Sequence, residues 1–297
     1  MTWLIRDTAK TNSLKKNLSS GKLQRFVGAW SPYIALMVEK LNFEGVYISG
    51  AGLSNDLGMP DIGLTTLSEV TERGRYIARC TSLPTMIDID TGFGETMNVA
   101  RSIRELEEAG ISSCHMEDQV NPKRCGHLDN KDLVDCATMV QKIQAAAKAR
   151  RDTNFVICAR TDARSVEGLE KSIARAKAYV DAGADMIFPE ALQDEKEFER
   201  FRKEVKVPLL ANMTEFGKSR LLSTKELTNL GYNMVIYPMT TFRLAMHAIE
   251  QGLKELHDKG TQEGLVDKMQ TRKKLYEYLE YEKYNDFDKK LFDFKLK

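Results

Sequence analysis

Short runs of apolar and β-branched residues recur along the chain, and stretches with helical periodicity separate them. This alternation is typical of repeated strand–helix units around a parallel sheet. We count eight runs, which begin near Phe26, Gly45, Pro84, Ile111, Asn154, Asp185, Val207 and Asn233. Three runs follow a glycine, Gly110, Gly183 or Gly231, which we expect to adopt the left-handed conformation that ends the preceding helix.

Eight strand–helix units predict a closed (β/α)8 barrel, because closure gives every parallel strand two neighbours. The alternative is an open, doubly wound sheet. Polar residues gather at the carboxyl ends of the runs, where barrel enzymes carry their chemistry, and no G-x-G-x-x-G follows the first run. We therefore favour a single barrel domain over residues 1–297, with the barrel at about 24–259.

Residues 241–259 show the pattern of an amphipathic helix, and a charged helical extension follows at about 260–297. The extension carries aromatic residues that a closed barrel cannot take inside: Tyr276, Tyr278, Tyr281, Tyr284, Phe287, Phe292 and Phe294. These side chains either pack on the outside of the same barrel or meet another subunit. We expect an oligomer.

The charge balance limits the classes of partner. Lys and Arg total 44 and Asp and Glu total 43, so the net charge of +1 offers no general field for nucleic acid. The five cysteines form no C-x-x-C pair, which favours a reducing compartment. No signal peptide or membrane span is evident in the pattern, so we expect a cytoplasmic protein.

Asp88 and Asp90 lie two apart in the third run, and strand alternation would place both carboxylates on one face. Two such carboxylates repel each other unless a cation lies near them, and a hard divalent ion such as Mg²⁺ fits that requirement. The alternative is a pair of capping or turn aspartates. Gly92 and Gly94 favour a ligand site, because they permit close approach of the backbone.

The fourth run ends with His115 and Glu117, which could contact the waters of a metal ion. A buried His115 with satisfied hydrogen bonds is the alternative. A polar loop follows over residues 119–132 and places Cys125 after Lys123 and Arg124. Neighbouring positive charge lowers the pKa of a thiol and suits it to proton transfer, whereas most lone cysteines are small buried apolar residues.

Several motifs now identify a family: SGAGLSNDLGMPDIG, DIDTGFG, MEDQVNPKRCGH, ARTDA, FPEA, LLANMTEFG and MQTR. In order and spacing they resemble the 2-methylisocitrate lyase branch of the isocitrate lyase and phosphoenolpyruvate mutase superfamily. The resemblance extends from about Phe26 to Tyr281. KRCGH is the most discriminating motif, because the phosphonate-processing branches lack its cysteine.

The resemblance implies roles for particular residues. Asp88 and Asp90 would bind Mg²⁺, with Mn²⁺ as an alternative, and Cys125 and Gly126 would belong to a mobile loop. The implied substrate contacts are Ser49, Gly50, Ala51, Cys125, Gly126, Arg160, Glu190, Asn212, Met213, Thr214, Arg243 and Arg272. The implied supporting residues are Asp61, His115, Glu117 and Lys123. Many members have glycine where this chain has Ala51, a mild change unless the position needs a positive φ.

The implied reaction is Mg-dependent retro-aldol cleavage of (2S,3R)-2-methylisocitrate to pyruvate and succinate, a step of propionate catabolism in the methylcitrate cycle. Cys125 would give a proton to the succinate half, and Arg160 would hold a carboxylate at the reacting centre. Tyr47 is the candidate base, with a packed strand tyrosine as the alternative. The family architecture also implies a barrel whose eighth helix exchanges between subunits, in a homotetramer built as a dimer of dimers.

Other functions remain open on the sequence. Isocitrate lyase is the nearest, although its chains are usually longer, and one substrate methyl discriminates by only about 1–3 kcal/mol. A dimethylmalate lyase or an oxaloacetate-acting relative would share the barrel and the metal motif. A noncatalytic barrel that binds a dicarboxylate is the non-enzyme alternative.

Overall fold

Eight parallel strands form a closed barrel in the computed structural model, which describes residues 10–124, 126 and 130–292. The strands are β1 (Gln24–Gly28), β2 (Gly45–Ile48), β3 (Thr85–Asp88), β4 (Ser113–Glu117), β5 (Val156–Thr161), β6 (Met186–Pro189), β7 (Leu210–Asn212) and β8 (Met234–Tyr237). Their order is β6-β5-β4-β3-β2-β1-β8-β7, and a parallel bridge between Ile187 and Leu209 joins the two ends. The predicted barrel is confirmed, and each strand begins within three residues of its predicted run.

Helices surround the barrel and extend beyond it. They are α1 (Lys10–Leu18), α2 (Pro32–Lys40), α3 (Gly50–Asp56), α4 (Leu67–Ala78), α5 (Thr96–Glu108), α6 (Cys136–Ala149), α7 (Ala163–Val166), α8 (Leu169–Asp181), α9 (Glu195–Glu204), α10 (Thr224–Asn229), α11 (Thr240–Lys259), α12 (Arg272–Leu279) and α13 (Tyr281–Phe292). A 3₁₀ segment lies at Glu263–Lys268. Gly110, Gly183 and Gly231 have φ of 77°, 112° and 76°, as predicted for helix ends before strands.

The barrel interior is filled by side chains and closed at its amino end by α1. Phe26, Tyr47 and Phe188 are buried in one interior cluster with Leu14 and Leu18 of α1. The position of α1 is fixed by Lys15 Nζ, which donates to the Thr153 carbonyl, and by the Leu18 carbonyl, which accepts from Asn233 Nδ2. Because Thr153 and Asn233 precede β5 and β8, the opposite, carboxyl end of the barrel remains for a site.

The larger apolar cluster lies between the strands and the surrounding helices. Residues that alternate with the interior ones, such as Val46, Ile87 and Ile157, face this layer. Capping boxes begin α4 at Thr66 and α10 at Ser223. The helices therefore stand in fixed positions behind the strands that carry the polar residues.

The helix α11 has no buried residue, although its sequence is amphipathic. Leu244 is 67% exposed and Leu253 is 61% exposed. In contrast, α12 packs on α2 of the same chain, with the Tyr33 and Tyr278 ring centroids 6.0 Å apart. Part of the aromatic extension thus covers its own barrel, whereas exchange of the eighth helix between subunits stays a prediction.

The described helices are short or rich in charge. Within the residues that the structure describes, none combines the length and apolar character needed to cross a bilayer.

We predict that Gly45→Ala destabilises the barrel by about 1–3 kcal/mol, because an added Cβ would overlap the ring of fully buried Phe26. The free energy of unfolding from urea denaturation measures this loss. The double variant Gly45→Ala/Phe26→Leu, which shortens the opposing side chain, should recover part of it. An unchanged free energy for Gly45→Ala would contradict the close packing of this pair.

Candidate active site

The carboxylates of Asp88 and Asp90 face one point at the carboxyl end of the barrel. A Cβ on Gly50 would lie 2.9 Å from Asp88 Oδ2 and 3.4 Å from Asp90 Oδ1. Strand alternation, from which we predicted that both carboxylates share one face, does not produce this convergence, so that argument was wrong. β3 ends at Asp88, and Asp90 has a φ of 48°, in the left-handed region that aspartate tolerates better than most residues.

The turn from β2 into α3 supplies backbone donors beside these carboxylates. Ser49 caps α3 by accepting a hydrogen bond from Gly52 N at 3.3 Å, and Gly50 N donates to Asp88 Oδ2 at 3.3 Å. Ala51 lies within α3 and has no positive φ. The alanine that replaces the usual glycine is therefore accommodated without backbone strain.

Lys123 links the start of the polar loop to the aspartates. Its ammonium lies 2.5 Å from Asp61 Oδ1 and 2.8 Å from Asp90 Oδ1, and the side chain is 2% exposed. Burial raises the pKa of Asp90 to about 6, with a contribution from the charge of Asp88 and opposition from Lys123. Asp61 and Lys123, two of the supporting residues that the resemblance implies, thus lie together beside Asp90.

Tyr47 and His115 form a buried pair next to Asp88. Tyr47 OH lies 2.7 Å from His115 Nε2, and Nε2 is 3.7 Å from Asp88 Oδ1. Burial lowers the pKa of His115 to about 4, so the imidazole is neutral near pH 7. Burial and the charge of Asp88 raise the pKa of Tyr47 well above its usual value, although Arg160 offsets part of this. These surroundings therefore disfavour loss of the Tyr47 proton.

Arg160, near the carboxyl end of β5, is buried among three carboxylates. Its Nε donates to Asp162 Oδ2 at 2.9 Å, Nη1 lies 3.2 Å from Glu117 Oε2, and Nη2 lies 3.4 Å from Glu190 Oε2. The guanidinium also lies over the Phe188 ring, 5.2 Å from its centroid. Multiple partners fix the orientation of this buried cation.

Gly126 brings the loop against the Arg160 cluster. A Cβ at this position would collide with Arg160 Nη2 and with the Glu190 side chain, so only glycine fits this contact. Asn212 Nδ2 lies 3.3 Å from Glu190 Oε2, which adds β7 to the same group. Cys125, the predicted proton donor next to Gly126, lies outside the described residues.

A second buried network supports the cluster from behind. Asp118 accepts hydrogen bonds from Thr161 Oγ1 at 2.8 Å, Asp162 N at 2.9 Å and Tyr179 OH at 2.8 Å. Arg175, 3.6 Å from Asp118 Oδ2, joins it to the loop end by donating to the Val134 carbonyl. These bonds fix the backbone at Asp162, and hence the carboxylate that orients Arg160.

Four predicted substrate contacts have no described hydrogen bond or ion pair to Arg160 or its three carboxylates: Met213, Thr214, Arg243 and Arg272. Met213 points into the outer apolar layer, where its sulfur accepts from Leu222 N, and Thr214 is half-buried after β7. Arg243 donates to the Glu215 carbonyl at 3.0 Å. Arg272 is exposed at the start of α12, and no described hydrogen bond or ion pair joins it to Arg160. Their substrate contacts stay predictions.

The donor set at Asp88 and Asp90 fits Mg²⁺, which typically takes one or two protein carboxylates and fills its other positions with water or substrate oxygens. Both oxygens of buried Glu117 lack a well-aligned hydrogen-bond donor among the described residues, so this carboxylate could accept from such waters. In the described part of the chain, no group of three or more His, Cys, Asp or Glu is placed to hold a metal. A closed zinc-type cage therefore has no support there.

Sequence reasoning missed Lys131, Arg175 and Tyr179. Lys131 Nζ lies 2.8 Å from Asp162 Oδ1, and the other two belong to the network behind Asp118. A lysine in a polar loop and a tyrosine in a helix carry no local signal of burial. Only the barrel topology brings them to partners 31 and 61 residues away.

We predict that Tyr179→Phe lowers the free energy of unfolding by about 1.5–3 kcal/mol, because it removes a buried hydrogen bond to a charged group. Tyr232→Phe is the matched control: Tyr232 is also buried, but its hydroxyl donates to the Phe198 carbonyl at 3.4 Å, a longer bond to a neutral acceptor. Urea denaturation of both variants should show the larger loss for Tyr179→Phe. Equal losses would refute a special contribution of the Asp118 bond.

Comparison of the chain with known proteins identifies the family to which it is similar. The phosphoenolpyruvate phosphomutase family model matches residues 14–257. The probable 2-methylisocitrate lyase 1 of Corynebacterium glutamicum is 56% identical over 287 residues, covering 96% of this chain and 94% of that protein.

Two solved structures show the same fold. A crystal structure of 2,3-dimethylmalate lyase, a member of the PEP mutase/isocitrate lyase superfamily, has a TM-score of 0.90 and 30% identity over 97% of this chain and 98% of that chain. Phosphonopyruvate hydrolase in complex with oxalate and Mg²⁺ has a TM-score of 0.85 and 31% identity over 93% and 97% of the two chains. The match of the family model over most of the chain, together with these relatives, shows that the protein belongs to the phosphoenolpyruvate phosphomutase family, within the PEP mutase/isocitrate lyase superfamily.

Proposed function

We propose that this chain is a magnesium-dependent carbon–carbon lyase that cleaves 2-methylisocitrate to pyruvate and succinate. The observation that carries the proposal is that Arg160 and the convergent Asp88 and Asp90 share the carboxyl end of the barrel, in a chain 56% identical to a probable 2-methylisocitrate lyase. A tricarboxylate needs both a cationic contact and a site for a hard cation. The lower identity to dimethylmalate lyase, 30%, favours the tricarboxylate substrate over a dimethylated malate.

Arg160 would bind one substrate carboxylate. Its guanidinium is held by Asp162 on one side, and its Nη1 and Nη2 face Glu117 and Glu190. A fixed planar guanidinium binds a carboxylate with defined orientation, so the bond to be broken is held in place before reaction. Ser49, Gly50 and Ala51, at the start of α3, would contact a second carboxylate.

Asp88 and Asp90 would hold Mg²⁺, supported by Lys123 and Asp61 around them. When bound, the ion supplies Lewis-acid stabilisation of negative charge on the substrate oxygens. Support from a relative comes from phosphonopyruvate hydrolase, a superfamily structure that was solved with oxalate and Mg²⁺. Mn²⁺ would satisfy the same oxygen donors.

The retro-aldol step requires loss of a hydroxyl proton from one half and gain of a proton at carbon by the other. We assign the second role to Cys125, because its neighbour Gly126 packs against Arg160 and Glu190 at the cluster. For the first role Tyr47 remains the candidate: as its oxygen takes the substrate proton, its own phenolic proton would pass to Nε2 of His115, which is neutral near pH 7. Buried Tyr47 would give up its proton only transiently, since its own pKa is raised.

We also propose that the enzyme works as a homotetramer of helix-exchanged dimers. The support is the exposed apolar face of α11, on which Leu244, Ile249 and Leu253 are at least half exposed. Another copy of this chain would cover that face.

The test is a direct comparison of substrates. We expect purified protein to release pyruvate from 2-methylisocitrate with a higher kcat/KM than glyoxylate from isocitrate, and chelation of divalent ions to abolish both activities. Coupled assays for the two products, with Mg²⁺ added back after EDTA, measure this. Dominant glyoxylate formation would reassign the substrate to isocitrate, and absence of both products would reject tricarboxylate cleavage. Dimethylmalate serves as the third substrate.

We predict that Cys125→Ser lowers kcat by several orders of magnitude, because a serine hydroxyl is a far weaker proton donor at neutral pH than a thiol. Binding of Mg²⁺ and the thermal unfolding midpoint should stay near the wild-type values. Cys80→Ser, at a half-buried position on the outside of the barrel, should keep full activity. Turnover of Cys125→Ser near the wild-type rate would remove Cys125 as the donor.

A further inference from the structure

A buried lysine that the proposed reaction does not use lies directly beside the substrate arginine. The side chain of Lys131 is 1% exposed. Its ammonium lies 2.8 Å from Asp162 Oδ1 and also donates to the carbonyl of Gly126. Asp162 is itself fully buried, so both members of this ion pair are withdrawn from water.

Burial of a lysine is unfavourable by several kcal/mol unless good partners replace its water. The partners of Lys131 are a carboxylate and a backbone carbonyl, and they link residues on two different elements. A surface ion pair such as Lys40 with Glu280 faces no such cost and contributes little. The cost of burying Lys131 indicates that its two partners have a function beyond stability.

The first partner, Asp162, is shared between two cations. Its Oδ2 accepts from Arg160 Nε at 2.9 Å, and its Oδ1 accepts from Arg160 Nη2 at 3.2 Å and from Lys131. Burial opposes the ionisation of Asp162, but Arg160 and Lys131 hold the pKa of its carboxyl below the usual value. The charge of Lys131 thus offsets part of the negative charge that Asp162 directs at Arg160.

The second partner, Gly126, approaches the same guanidinium at its Nη2 atom. Its Cα approaches Arg160 Nη2 and Glu190 so closely that no side chain fits. By fixing the Gly126 carbonyl, Lys131 fixes the backbone that packs on Arg160. One ammonium therefore controls both the carboxylate that orients Arg160 and the loop residue that covers it.

We propose that Lys131 is a positioning residue that keeps Arg160 available for a substrate carboxylate. Three carboxylates already contact Arg160, and a substrate carboxylate must compete with them. Without Lys131, the full charge of Asp162 would fall on Arg160, and Gly126 would lose its anchor. The inference deepens the proposed function and rests on it for the identity of the substrate.

The proposal predicts a change in binding more than in the chemical step. Lys131→Met should raise KM for 2-methylisocitrate at least tenfold, with kcat within about fivefold of wild type. Lys131→Gln, which keeps a donor for Gly126 but loses the charge, should also raise KM. Lys131→Arg, which keeps the charge, should restore KM to within a few fold of wild type.

A matched control separates this role from a general loss of stability. Arg150 makes the same kind of contact near the amino end of the barrel, donating to the Phe155 carbonyl and to Asp185. Arg150→Met should lower the thermal unfolding midpoint while leaving KM unchanged. If Lys131→Met does not fold, the comparison of Lys131→Gln with Lys131→Arg decides the question.

Succinate binding, measured by calorimetry without turnover, provides a readout that does not depend on the cleavage assay. We expect the dissociation constant for succinate to rise in Lys131→Gln and to stay near wild type in Lys131→Arg. Wild-type KM and succinate affinity in both Lys131→Met and Lys131→Gln would overturn the proposal. A wild-type protein that binds succinate but cleaves no tricarboxylate would instead overturn the proposed function, and the succinate data would still test Lys131.

Discussion

The burial of Arg160 among Glu117, Asp162 and Glu190 is the constraint on which the carboxyl end of the barrel depends. An arginine without water requires partners on every side, and those partners are themselves buried acids that require cations. Lys131 meets part of that need at Asp162, and Lys123, which pairs with Asp61 and Asp90, interacts electrostatically with Glu117. Both lysines draw in the loop that carries them. The charges therefore form one connected set, in which the position of each strand end is tied to its neighbours.

Much of the fold follows from the sequence because apolar runs and glycine positions are local signals. The eight runs and the helix ends at Gly110, Gly183 and Gly231 needed no knowledge of distant contacts. The helix α1 was not predicted, because it is short and is stabilised by packing into a barrel whose strands follow it in the chain. Similarly, the sequence could not say which apolar side chains after β8 pack on the same chain: Tyr278 packs on α2, while the apolar face of α11 stays exposed.

The candidate site was only partly predictable, and its errors have physical causes. Polar residues at strand ends identified Asp88, Glu117, Arg160 and Glu190, because carboxyl ends of parallel strands meet at one edge. The argument for Asp90 assumed that the strand continues, whereas the chain turns after Asp88 with a positive φ at Asp90. Lys131 was missed because no sequence pattern distinguishes a solvated loop lysine from one that is buried by a partner 31 residues away.

The helix α1 has a consequence for how this protein is made. Leu14 and Leu18 fill the amino end of the barrel, and their helix is held by Thr153 and Asn233. The ribosome synthesises α1 before all eight strands, yet the surface that binds this helix is completed only when β8 has been synthesised. Leu14 and Leu18 therefore reach their native contacts only after β8, the last strand of the barrel, has left the ribosome.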